Sequence, residues 1–259
     1  MSENFASSRL KIEWAKKHIL DLHAKVSGIA ISSLYIPRIE HNSQTGNDVL
    51  KIEVTQILPS AGELALVIGD ALHNLESVLD YALNEVVFRR LGRYDDYTKL
   101  PFRLTRDKLV TAVNGALIHQ ASEAVSNFIV DVVKPYKGGN EALWALNDLN
   151  NIDKHRLLLP VLHINIVNDI RVQNDRGDKH IIDQAITRGT RFAVHELSGR
   201  NFNITDKGKP SVLILFDKGS PWEGKPILPS LRQFTEMLAS LVDGIEEVFF
   251  AENKRLGIE

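Results

Sequence analysis

The chain has 259 residues, 44% of them hydrophobic and 25% charged, enough apolar material for a substantial core and too much for a disordered chain. A formal net charge of −2 gives no general attraction to a polyanion, so nucleic acid is unsupported, although a local basic patch would be compatible with it. Cysteine is absent, which removes disulfides, thiolate nucleophiles and Cys-based metal sites.

Met1–Leu10 carries no signal-peptide core, and no run approaches the roughly 20 uninterrupted apolar residues that span a bilayer. The expectation is a soluble cytoplasmic protein that does not enter a membrane. From about Ser7 to Val26, Leu10, Ile12, Trp14, Ala15, Ile19, Leu20, Leu22 and Ala24 recur at helical spacing, and Gly28 ends that helix. Ile29 to Glu40 is β-rich, His41 to Asn47 reads as a turn, and Val49 to Ile57 alternates, which predicts an N-terminal β-hairpin.

Ser60, with Glu63 three residues on, forms a capping-box pattern, and the helix it starts should run to about Leu91. A shorter helix follows, capped by Thr105, and another spans Ser122 to Val133, stopped by Pro135 and Gly138-Gly139. Asn140 caps the next helix, through about His155. After Arg156 the texture changes: Leu157 to Ile166 is almost wholly apolar, with further β-type runs at Ile170 to Val172, Arg191 to His195 and Val212 to Phe216. Asp175 to Lys179, Ser198-Gly199 and Asp206 to Pro210 have turn compositions. The Ser220 to Pro226 stretch reads as a plain connection, with a lid as the alternative.

Pro229 stands near the start of an amphipathic helix whose Leu231, Phe234, Leu238, Leu241, Ile245, Val248 and Phe249 form one stripe. The predicted fold is therefore α+β in a single domain. It comprises a long-helix bundle (about 1–156) with an N-terminal β-hairpin, a mostly antiparallel sheet (about 157–226) and a closing helix (229–254) packed back on the helical part.

Two polar groupings stand out. Asp70, His73, Ser77, Asp80 and Asn84 follow one another at steps of 3, 4, 3 and 4, which places all five on one side of a helix. These residue types each cost up to about 0.7 kcal/mol against Ala in a helix, so a stripe of them calls for compensation. A solvated face is the plain reading. A cleft in which Asp70 or Asp80 orients His73 is the functional one. One His and two Asp on a single helix do not complete a metal-ligand set, so neither metal nor cofactor is expected.

The second grouping is Asn147 to Arg156, where helical geometry brings Asp148, Asn151 and His155 near one another. Its basic end could simply complement the negative end of the helix dipole. Alternatively, Lys154 and Arg156 supply anion contacts and His155 a proton donor or acceptor for a phosphate or carboxylate. If the two long helices lie side by side, His73 and Asp80 would share a pocket with Asp153 to Arg156. The candidate ligand-binding residues are thus His73, Ser77, Asp80, Asn151, Asp153, Lys154, His155 and Arg156.

The strings Ile68-Gly-Asp-Ala-Leu-His-Asn-Leu-Glu-Ser-Val-Leu-Asp80 and Leu149-Asn-Asn-Ile-Asp-Lys-His-Arg156 resemble the two motifs of a family of uncharacterised bacterial proteins. Glu76 stands where that pattern has Arg, and the resemblance implies no activity. The segment Arg156 to His163 resembles, by spacing, the Arg and His pair of HEPN-type helical domains, many of which cleave RNA. Here the intervening residues are apolar, include Pro160 and read as strand.

Walker-type, dinucleotide-binding, zincin and serine-hydrolase signatures are absent. Three functions stay open. The preferred one is a protein that binds a small anionic ligand or partner at the polar junction, since no complete catalytic set assembles from the sequence. The others are an enzyme, either a metal-independent HEPN-like ribonuclease or a metal-assisted hydrolase, and a structural homodimer whose polar stripes specify packing.

Overall fold

The computed structural model describes residues 4–29, 34–54, 61–95, 97–186 and 192–258. Helix α1 (Ala6–Ser27) buries Ser8, Ile12, Ala15, Ile19, Leu22 and Val26, a 3- and 4-residue repeat that turns one face inward. Gly28 closes it, its amide reaching the carbonyls of Ala24 and Val26. Strands β1 (Tyr35–His41) and β2 (Asp48–Val54) pair antiparallel from Tyr35 opposite Val54 to His41 opposite Asp48. Asn42 N–H donates to Asn47 O (2.8 Å) across the turn between them.

β2 does not stop at that pairing. Its other edge takes β5 (Phe192–Leu197), so the sheet runs β1-β2-β5 and draws a strand from the second half of the chain onto the first. The burial of β2 explains this: Val49, Leu50 and Ile52 are all buried, the pattern of a central strand and not of a hairpin edge. Asp48, itself buried, ties the sheets together by accepting the Phe202 N–H (2.9 Å) and meeting His41 Nδ1 (3.2 Å).

The helix expected from Ser60 to Leu91 is two helices, α2 (Ala61–Glu76) and α3 (Val78–Leu91); Ser60 lies outside the described residues. The interruption is at Ser77, whose hydroxyl donates to Asn74 O at 3.0 Å. A hydroxyl bonding back onto the preceding turn loosens the main-chain ladder and bends the helix. Accordingly, Ser77 N to His73 O stretches to 3.3 Å and Tyr81 N to Ser77 O to 3.2 Å.

The next helices are short. α4 (Arg106–Asn114) is capped by Thr105, α5 (Leu117–Ala121) has no side-chain cap, and α6 (Glu123–Phe128) is capped by Ser122. The helix expected through Val133 changes to a π-turn at Ile129–Val133 and ends at Lys134 with φ 52°. α7 (Glu141–Asp153) begins at Asn140, whose side chain accepts the Leu143 N–H at 3.0 Å. Past Asp153 the chain makes one more turn, in which the His155 and Arg156 amides both reach Ile152 O.

The second sheet is also antiparallel and is built on β3 (Val161–Asn174). β4 (Lys179–Ile186) lies on one side of it, and β7 (Lys209–Leu215) and β6 (Phe202–Asp206) share the other. The run expected at 157–166 enters this strand only from Val161, and the run at 170–172 belongs to the same strand, which carries register shifts between Ile164 and Ile166 and between Arg171 and Val172. β4 and β6 were not anticipated, because Lys179-His-Ile-Ile-Asp-Gln lacks apolar alternation and Phe202–Asp206 alternates over only two apolar residues.

Finally α8 (Ile227–Leu256) buries Leu231, Phe234, Leu238, Leu241, Ile245 and Phe249 and packs against α1, α2, α3, α6 and α7. The result is an α+β fold with two antiparallel sheets. Among the described residues no helix is long and apolar enough to cross a membrane.

Candidate functional site

The polar stripe divides where α2 bends into α3. On α3, Asp80 Oδ1 accepts the Leu100 N–H at 2.8 Å, and Asn84 both accepts from Asp95 N (3.3 Å) and donates to Thr98 O (3.0 Å). Thr98 in turn donates its hydroxyl to Asp95 at 2.7 Å. These side chains bond the Asp95 and Leu100 amides and the Thr98 carbonyl, and this offsets their poor helix propensity.

A cleft of about 510 Å³ opens beside them, with Ser77, Asp80, Tyr81, Asn84, Glu85 and Tyr94 on its walls. Its carboxylates are already engaged. Glu85 accepts the Phe5 N–H and pairs with Arg89, and Asp80 and Asp95 hold the strap. Burial pushes the Asp80 carboxyl up to about 6; the Leu100 N–H opposes the rise, Glu76 adds to it, and the charges of Lys99 and Lys154 pull it back.

On α2, the stripe meets α7. Gly69 faces the Asp153 carboxyl so closely that a Cβ there would lie 2.8 Å from Asp153 Cγ and 2.9 Å from Oδ1. Burial raises the Asp153 pKa against the Leu158 N–H, with Asp70 adding to the rise and His73 opposing it. Asp153 Oδ1 and the Asn150 amide nitrogen, three residues back on the same helix, are buried without hydrogen-bond partners. Asp70 and His73 are exposed, and among the described residues no hydrogen bond or ion pair joins His73 to Asp70 or Asp80.

Thus α2 and α7 do lie side by side, but they meet through a packed joint. The shared pocket anticipated for His73, Asp80 and Asp153 to Arg156 is replaced by a division. Asp153 turns into the joint, and the Lys154 charge acts on Asp80. His155 and Arg156 line a separate cleft of about 660 Å³ on another side of α7, into which neither His73 nor Asp80 reaches. The steric reason is the approach at Gly69, which leaves no room between the two helices.

That second cleft has α7 and the following turn as one wall, contributing Asp148, Asn151, Ile152, His155 and Arg156. Facing it are Gly219, Ser220 and Pro221. This opposite wall is fixed: Ser220 Oγ donates to Asp217 O (2.9 Å), Gly219 N to Glu223 (3.0 Å) and Gly224 N to Phe216 O (3.1 Å). Trp222 stacks on Phe234 of α8 with ring centroids 4.7 Å apart. The Ser220 to Pro226 stretch, read from its sequence as a plain connection with a lid as the alternative, is therefore a tied-down wall.

Among the described residues, the side chains of Asp148, Asn151, His155 and Arg156 have no internal hydrogen bond or ion pair. They present a carboxylate, an amide, an imidazole and a guanidinium to the cleft. A guanidinium and an imidazole can each donate to a carboxylate or phosphate oxygen, and the amide can donate or accept. His163 lies in β3 opposite Leu213, away from this wall.

Gly69 and the 219–221 turn are the contributions that sequence reasoning missed. A glycine in a helix interior costs about 1 kcal/mol against Ala, and that was the available signal for Gly69. No group of three or more His, Asp or Glu among the described residues is placed to hold a metal ion. Comparison of the chain with protein-family models, with curated proteins and with solved structures finds no match.

Proposed function

We propose that the protein binds a small anionic ligand, bearing a carboxylate or a phosphate, in the cleft between the end of α7 and the 219–221 turn. One observation carries this reading: Asn151, His155 and Arg156 converge on a cavity large enough for a small molecule and, among the described residues, have no hydrogen-bond or ion-pair partner. Buried polar side chains are ordinarily engaged, as those of the α3 cleft are, whereas these three are exposed and free to meet a ligand. Arg156 supplies the fixed charge and a planar fork of donors, His155 a second donor, and Asn151 a neutral contact that sets orientation.

Position in the fold supports the same reading. The cleft lies at the outlet of α7, where the negative end of the helix dipole already favours cations, so Arg156 and His155 are held there at little cost. Inorganic phosphate and caproate are suitable probes in isothermal titration. The unmodified protein should bind at least one of them, and Arg156→Gln should weaken that binding about tenfold, the loss expected for a charge-assisted hydrogen bond. Lys99→Gln, at the other cleft, should leave the affinity unchanged. Equal binding by Arg156→Gln and the unmodified protein would refute the assignment.

A further inference from the structure

We infer that this cleft takes a bipolar ligand, one that carries a protonated amine as well as its carboxylate or phosphate. The inference rests on the anion-binding reading and adds a second pole to it. Its basis is Asp148, which lies on the same wall as His155 and Arg156 and, like them, has no internal partner among the described residues. A purely anionic ligand would meet a bare carboxylate there and be repelled by it, whereas an ammonium group would complete it.

The spacing fixes the kind of molecule. Asp148 and His155 are seven residues apart, the last two steps past the end of α7, which at about 1.5 Å of rise per residue sets their backbones about 10 Å apart along the wall. Between them the wall carries Ile152, half-buried, beside the exposed Asn151 amide, and Pro221 faces it from the opposite side. The cleft therefore reads, from one end to the other, as carboxylate, a middle of Ile152 and Pro221 with one neutral amide, then imidazole and guanidinium. A short aliphatic stem with an amine at one end and an acid at the other matches that order. A dianion or a strand of nucleic acid would place negative charge against Asp148.

Competition among three probes of equal stem length tests this: ε-aminocaproate, caproate and hexylamine, titrated into the full chain. The inference predicts that ε-aminocaproate binds about fivefold tighter than caproate, the upper end for a solvent-exposed charge pair. In Asp148→Asn, an isosteric change at an unpaired side chain, the two acids should bind equally, while circular dichroism confirms an unchanged fold. In Arg156→Gln both acids should weaken together. Equal affinity of the unmodified protein for the two acids would overturn the bipolar inference and leave the anion site standing, as would a preference that survives Asp148→Asn. Hexylamine binding as tightly as ε-aminocaproate would overturn the anion-binding reading and the inference with it; none of the three binding at millimolar concentration would overturn the inference, and the anion-binding reading too if inorganic phosphate also fails to bind.

Discussion

Replacing Asp80 by Asn should stabilise the protein at neutral pH and do nothing comparable in acid. The buried carboxyl titrates at about 6, against 3.8 when exposed in the unfolded chain. The folded state therefore holds its proton more tightly than the unfolded state does. Stability from that proton is fully present below about pH 4 and is lost as pH rises through about 6. A difference of about 2 pKa units at about 1.4 kcal/mol each makes the penalty about 3 kcal/mol at pH 7. Asn is neutral at every pH, nearly the same shape, and keeps an oxygen to accept the Leu100 N–H that Asp80 Oδ1 now accepts at 2.8 Å. Urea unfolding of both proteins between about pH 4 and pH 8 should give curves that separate progressively, the variant gaining about 2–3 kcal/mol over the unmodified chain by pH 8. A difference that stays flat with pH, or one that favours the unmodified protein as pH rises, would refute this account of Asp80.

Gly69→Ala should destabilise by about 1–3 kcal/mol through crowding against Asp153, less the gain of about 1 kcal/mol in helix propensity. Combining it with Asp153→Ala should recover most of the loss, and additive effects in thermal unfolding would count against the close approach of α2 and α7. Glu252, buried in α8, accepts the Ala124 N–H and pairs with Arg90 at 3.0 Å, both across long stretches of chain. Glu252→Ala leaves the Arg90 guanidinium without its carboxylate and should cost about 3–5 kcal/mol in urea unfolding. Burial alone would raise the Glu252 pKa, but bonds from Ser122 and Ala124 and the charges of Arg90 and Arg255 outweigh it and hold the group low. Its contribution is therefore present above the usual carboxylate range and is lost as pH falls through its depressed folded value. A loss with Glu252→Ala that is as large at pH 3 as at pH 7 would contradict that role.

What the sequence disclosed and what it hid separate by range. Thr105 and Asn140 were readable as caps because each bonds an amide only three residues on. The apolar stripe of α8 was readable because its period is local. The pairing of β2 with β5 was not, since the partner lies about 150 residues away and nothing in Asp48–Val54 names it. The fate of the polar stripe was hidden for the same reason. Asp80 and Asn84 have the spacing of a functional face, but their partners are backbone groups of Asp95 to Leu100, and only the folded chain reveals that they are engaged.

The candidate site shows the same limit from the other side. Asn151, His155 and Arg156 could be singled out as a polar cluster at a helix end, but the turn that faces them comes from residues more than 60 positions later. Helix geometry separates Asp153 and Lys154 from their neighbours: successive residues point about 100° apart, so Asp153 can enter the joint with α2 while His155 stays on the cleft. A run of consecutive polar residues therefore could not reveal which of them share a wall.

The central claim is that the polar groups at the end of α7, which have no partner among the described residues, and not the stripe on α3, form the ligand site. Amide chemical shifts of isotope-labelled protein, followed while caproate or inorganic phosphate is added, test it directly. The account predicts saturable shifts at Asn151, His155, Arg156 and Gly219, with Asp80, Asn84 and Thr98 unmoved. Shifts centred on the α3 cleft, or none at the end of α7, would contradict it.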